Sequence, residues 1–114
     1  MENNREHLYE GMYILNSNLS EDARKKALGR IEDGITEKGG KIEKVHEMGR
    51  KRLAYPIDGK KEGYYYVIYF TVVTSAMKEI WKEYHLNEDL LRFMTPVAEC
   101  VRETLEFKPL QQQN

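Results

Sequence analysis

Residues 64–73, YYYVIYFTVV, hold the chain's highest density of aromatic and β-branched side chains, the composition of a strand. Alternation divides them, with Tyr66, Ile68, Phe70 and Val72 on one side and Tyr65, Val67, Tyr69 and Thr71 on the other. The first set is the more apolar and is assigned to the core. No proline interrupts the run, as expected of a strand with a neighbour on each side.

Upstream, DGKKEG (58–63) reads as a hairpin turn, which makes KIEKVHEMGRKRLAYPI (41–57) the antiparallel partner, bent or bulged near Gly49. Downstream, SAMKEIWKEYHL (75–86) shows helical spacing, with Met77, Ile80, Trp81 and Tyr84 on one stripe and Ser75 as candidate cap. LLRFMTPV (90–97) is a last strand, with Leu91, Phe93, Thr95 and Val97 inward and Leu90, Arg92 and Met94 outward. At the start, HLYEGMYILN (7–16) is a strand. A helix follows, on which Ala23, Ala27, Leu28, Ile31 and Ile35 share a face, Ser20 caps the start and Gly39-Gly40 ends it.

The order β-α-β-β-α-β predicts an α+β, ferredoxin-like sandwich: a four-stranded antiparallel sheet in order 4-1-3-2 with both helices on one face. The second and fourth strands are then the edges, and they hold Pro56 and Pro96. Residues 1–97 are expected to form the single domain. The segment 98–114 loses periodicity and is expected to be a polar tail, loosely ordered unless a partner holds it.

With 114 residues and 40% hydrophobic content, one core is expected. No apolar run approaches the roughly 20 residues of a bilayer span. The polar, acidic start MENNREHLYEG and the lone Cys100 read as cytoplasmic. Enzyme chemistry finds no constellation. His7, His46 and His85 fall in three elements without ligand spacing, and HEMGR has Arg50 where a zinc-protease helix needs histidine. GITEKGGKI misses a phosphate loop, because Lys41 follows the wrong glycine and Ile42 stands in the Ser/Thr place. Glu21-Asp22 and Glu88-Asp89 suit helix starts and turns. The expectation is no enzyme, no cofactor, no metal, no membrane and no small-molecule substrate.

Charge is uneven although the net is only −1. Between residues 50 and 61, Arg50, Lys51, Arg52, Lys60 and Lys61 face Asp58 alone, a local excess of four. Such a cluster either points at phosphates or protects an edge strand from pairing. The side of the sheet away from the helices is expected to show tyrosines and an arginine. That mixture suits RNA bases or a protein partner, and it also arises because Tyr forms strands well at half-wet positions.

LYEGMYIL, KGGKI, GRKRLAYPI, EGYYYVIYF and LLRFM, in that order from Leu8 to Val97, resemble the bacterial small-subunit ribosomal protein S-six family. The resemblance implies a non-enzymatic component of the cytoplasmic ribosome. It implies binding to the central domain of 16S rRNA together with ribosomal protein S-eighteen. Arg50, Lys51 and Arg52 would then face phosphates, anchored by Leu53, Tyr55 and Ile57, with Arg92 and Tyr65 added from their facing direction. Met94, Leu105 and Phe107 are the residues expected to meet the protein partner. Gly11, where an aliphatic residue is commoner, and Pro96 depart from the pattern. Two alternatives use the same element order. An RNA-recognition motif is approached by Gly63, Tyr64, Val67 and Tyr69, but Glu62 replaces its basic residue and Tyr65 its small one. A ferredoxin-like regulatory module would bind a ligand or its own copy on the open sheet.

Overall fold

The computed structural model, which describes residues 5–105, runs β1 (Glu6–Asn16), α1 (Glu21–Thr36), β2 (Lys41–Ile57), β3 (Lys60–Val73), a 3-10 turn (Thr74–Ala76), α2 (Met77–Leu86) and β4 (Leu90–Met94). The strands pair antiparallel in the order β2-β3-β1-β4. This is the ferredoxin-like order 4-1-3-2 seen from its other edge.

One face carries the main core, built from the alternation read in β3. Tyr66, Ile68, Phe70 and Val72 meet Tyr9, Tyr13 and Leu15 of β1, Ala27, Ile31 and Ile35 of α1, and Met77, Ile80 and Tyr84 of α2. Ser20 caps α1, its Oγ accepting the Ala23 N–H at 3.2 Å. Ser75 does not cap α2: it lies inside the 3-10 turn, and α2 begins after Ala76 without a side-chain cap. Trp81 leaves the apolar stripe, 41% exposed, and donates its indole N–H to Thr95 Oγ1 at 2.7 Å.

Gly11 has a spatial reason. A Cβ there would collide with the ring and hydroxyl of Tyr13 two residues on. Without it, the Tyr13 ring lies along the strand, and its hydroxyl meets that of Tyr84 at 2.7 Å with the rings edge-to-face at 5.3 Å.

β4 differs from the alternation expected of it. Met12, Tyr13 and Ile14 pair with Met94, Phe93 and Arg92, but Leu15 pairs with Leu90, so Leu91 is an extra residue in a bulge. Leu90 therefore turns to the helix-side core and Leu91 to the opposite cluster, the reverse of the expected assignment. The strand also stops at Met94 rather than running to Val97, which is 61% exposed and not inward. Pro96 cannot donate, but its carbonyl accepts the Glu10 N–H at 2.8 Å before the chain rejoins the sheet by a bridge from Val97 to Tyr9.

The face away from the helices is covered at both ends, where a bare surface was expected. Between the pairs Arg52–Glu62 and Ile57–Lys60, residues 53–56 of β2 stand against Lys61 alone. The hairpin end uses that extra length to reach over the sheet. Leu53 and Ile57 join Ile14 and Tyr65 in a second buried cluster, with Met48 and Leu91 packed on it. A Cβ on Gly63 would collide with Ile14 there. The turn itself is only Asp58-Gly59, with φ of 49° and 77°, so Lys60–Gly63 of the expected turn are already strand. At the other end, the segment after β4 crosses the same face. The Ala98 N–H reaches Leu8 O at 2.8 Å, His46 Nε2 bonds to Arg102 O at 2.8 Å, and Lys44 meets Glu103 at 3.0 Å. Tyr69, expected in the open, is fully buried and donates its hydroxyl to Glu10. Met12, Val67 and Met94 remain between the two covers, with Met94 47% exposed. Residues 106–114 of the expected tail lie outside the described residues.

These buried phenols make stability pH-dependent on the alkaline side. Burial pushes the Tyr13 and Tyr84 hydroxyls well above the ordinary phenol range. Burial, the hydrogen bond to Glu10 and that carboxylate's charge push Tyr69 up to about 12. A pKa raised in the folded state favours the neutral phenol. The stabilisation is thus complete below the unfolded value of about 10 and is lost as pH rises through the folded values. The urea midpoint is expected to hold up to about pH 9 and to fall between about pH 10 and 12; a midpoint unchanged at pH 12 would contradict this burial.

Candidate nucleic-acid interface

β1 ends where Asn16 pairs with Gly63, so beyond that point β2 and β3 project as a two-stranded end. That end bears Arg52, Lys60 and Lys61, with Arg50 and Lys51 at its base opposite Tyr64 and Gly63. Register decides where each points, because directly paired residues share a face. Arg50 pairs with Tyr64 and Arg52 with Glu62, on the helix side of the sheet, whereas Lys51 pairs with Gly63 on the opposite side. The bulge at Met48-Gly49, where Gly49 takes a φ of 85°, sets this phase. The three consecutive cations thus divide over two faces. Arg50 Nε donates to Glu62 Oε1 at 2.8 Å, and both side chains are about half exposed.

On the far edge, Arg92 points away from the helices as expected, but another side chain meets it. Its Nη1 donates to the Tyr55 hydroxyl at 2.9 Å, with the guanidinium 5.7 Å from the ring centre. Leu53 and Ile57 anchor the hairpin as expected, while Tyr55, expected to anchor it with them, is 47% exposed and meets Arg92. Tyr65 requires a correction. It is 6% exposed inside that cluster, so its ring has no open face on which a base could stack. An RNA-recognition-motif surface needs exposed rings on β3, and Tyr65 and Tyr69 are both covered. Met94 is exposed beside the free edge of β4, and Leu105 is half-buried. Phe107 lies outside the described residues.

Sequence reasoning missed Arg24. In the first turn of α1, its Nε donates to the Tyr66 hydroxyl at 2.9 Å and its guanidinium carbon sits 4.1 Å from the centre of the Tyr64 ring. Helical spacing puts Arg24 on the apolar stripe, four residues before Leu28 and seven before Ile31, and a cation there was the available signal, but no local pattern connects it to two tyrosines forty residues away.

Comparison with known proteins agrees with this architecture. A family model described as Ribosomal protein S6 matches residues 8–96. Small ribosomal subunit protein bS6 of Protochlamydia amoebophila (strain UWE25) is 58% identical over 108 residues, covering 95% of each chain. The protein of the same name from Chlamydia muridarum is 60% identical over 103 residues, covering 90% of this chain and 92% of its own. The crystal structure of 30S ribosomal protein S6 from Thermotoga maritima superposes with a TM-score of 0.78 at 34% identity, over 82% of this chain and 89% of that one. The chain belongs to the ribosomal protein S6 family, whose members are structural proteins of the small ribosomal subunit and not enzymes.

Proposed function

We propose that the chain lays the cationic end of its β2–β3 hairpin against phosphates of the central domain of 16S rRNA, with ribosomal protein S-eighteen seated beside the free edge of β4. Membership in the family makes it a structural component of the small subunit and so of the cytoplasmic ribosome. The observation that carries the RNA site is the hairpin end and its base, where five cations stand in a segment whose acids are Asp58 and Glu62. The Arg50–Glu62 pair is half exposed, and such pairs are worth about 0–1 kcal/mol, so a phosphate can displace the carboxylate at little cost. The partner site is supported by β4's outer edge, which no strand pairs among the described residues, and by exposed Met94, with Leu105 and Phe107 further along the sequence. A mildly acidic chain that binds jointly with a basic partner need not supply all the positive charge.

A salt titration of binding to a 16S central-domain transcript tests this reading. Three phosphate contacts predict a loss of roughly 40-fold in affinity between 50 and 200 mM salt. Added S-eighteen is expected to tighten binding. Affinity independent of salt would refute the hairpin contact, and indifference to S-eighteen would refute the joint site.

A further inference from the structure

We propose that Arg24 is a further phosphate-binding residue for RNA, which extends the cationic rim from the hairpin onto the helix layer. This rests on the RNA reading above and adds a residue from a second element. Two contacts fix the side chain. The guanidinium carbon stands over the Tyr64 ring, 4.1 Å from its centre, and the hydroxyl of Tyr66, a residue only 4% exposed, accepts from Nε. Those contacts use the Nε edge of the group and hold its carbon over a ring. Among the described residues no acceptor takes its two terminal amines. A guanidinium tethered at Nε with its terminal fork free can bind a phosphate bidentately. Because the tyrosines already restrict its rotamers, little further side-chain entropy is lost on binding.

The register supplies the rest of the site. Tyr64 stands directly opposite Arg50, and Arg52 follows two residues along the same side of β2. Arg24, Arg50 and Arg52 therefore flank Tyr64 on the helix side of the sheet, three guanidiniums from two elements. Lys51 lies on the other side. Glu21 and Glu62 also border this area: Glu62 pairs with Arg50, and Glu21 pairs with Lys25 at 3.5 Å while its charge also acts on Arg24. Glu47, opposite Tyr66, is a further carboxylate on the helix side of β2. The RNA backbone thus approaches from the helix side of the hairpin.

The test compares Arg24→Gln, Arg24→Lys and Tyr66→Phe on the 16S central-domain transcript in the presence of S-eighteen, with Arg50→Ser/Lys51→Ser/Arg52→Ser as reference. Arg24→Gln is expected to weaken binding about tenfold and to lower the slope of log affinity against log salt by about one. Tyr66→Phe keeps the charge and loses the tether, so the slope is expected to hold while affinity falls a few-fold. Arg24→Lys is expected to keep the slope and lose affinity, because an ammonium lacks the planar fork. An unchanged slope in Arg24→Gln, while the reference variant binds weakly, overturns the Arg24 site alone. A reference variant that binds like the parent overturns the hairpin contact, and the Arg24→Gln slope then decides this site independently. Urea unfolding of each variant is measured alongside. Should Arg24→Gln fail to fold, Arg24→Lys decides: parental affinity overturns the proposal.

Discussion

Phe70→Ala is expected to lower the free energy of unfolding by about 3–5 kcal/mol, a large fraction of the roughly 5–15 kcal/mol that holds a domain of this size together. Phe70 is fully buried in the middle of β3. It pairs with Tyr9 on one side and Ile42 on the other, and its ring stacks on that of Tyr9 at 5.5 Å. Removing the ring leaves a void whose walls cannot close readily. The backbone on both sides is held by strand ladders, and the remaining wall is the layer that contains Ile35 and Met77. The change in urea midpoint at constant m-value measures the effect. A loss below about 1 kcal/mol would show that the helix-side core is not packed around this ring. The exposed Trp81, by contrast, leaves little cavity when truncated.

Much of this fold was legible because period two and period 3.6 are local signals. The assignment of Tyr66, Ile68, Phe70 and Val72 to one face needed only alternation, and Ser20 needed only its place before Glu21-Asp22. The prolines marked both edges, since a residue without an N–H is confined there. Alternation says which residues share a face, however, and not what comes to lie on that face. Tyr65 looked open because the two helices cover only the other side. Its actual cover is Leu53 and Ile57, brought over by residues 53–56 standing against one partner residue. A register mismatch of that kind belongs to a strand pair and is invisible in either strand alone. The single extra residue at Leu91 acted likewise, exchanging the faces of Leu90 and Leu91 while leaving Arg92, Phe93 and Met94 as read. The cation cluster was legible as composition. Its division over two faces followed from the bulge at Met48-Gly49, and its continuation to Arg24 followed from a contact between helix and strand.

That division sharpens the largest expected effect on function. Replacing Arg50, Lys51 and Arg52 together by Ser is expected to weaken binding to the 16S central-domain transcript by about a hundredfold, at roughly 1 kcal/mol for each lost cation. The salt slope is expected to fall by up to about three. Stability is expected to stay within about 1 kcal/mol, because Arg50 and Arg52 are exposed and Glu62, the carboxylate paired with Arg50, is half in solvent. Since Arg50 and Arg52 share the helix side with Arg24 while Lys51 faces away, the two arginine changes alone are expected to account for most of the loss. Lys51→Ser alone is then expected to cost only a few-fold. If the run served instead to keep an edge strand from pairing with other chains, the triple variant would keep its RNA affinity and self-associate as concentration rises. Sedimentation of the variant beside its binding curve separates the two. Parental affinity together with new dimers would assign these cations to edge protection, and weakened affinity in a monomer would assign them to the RNA backbone.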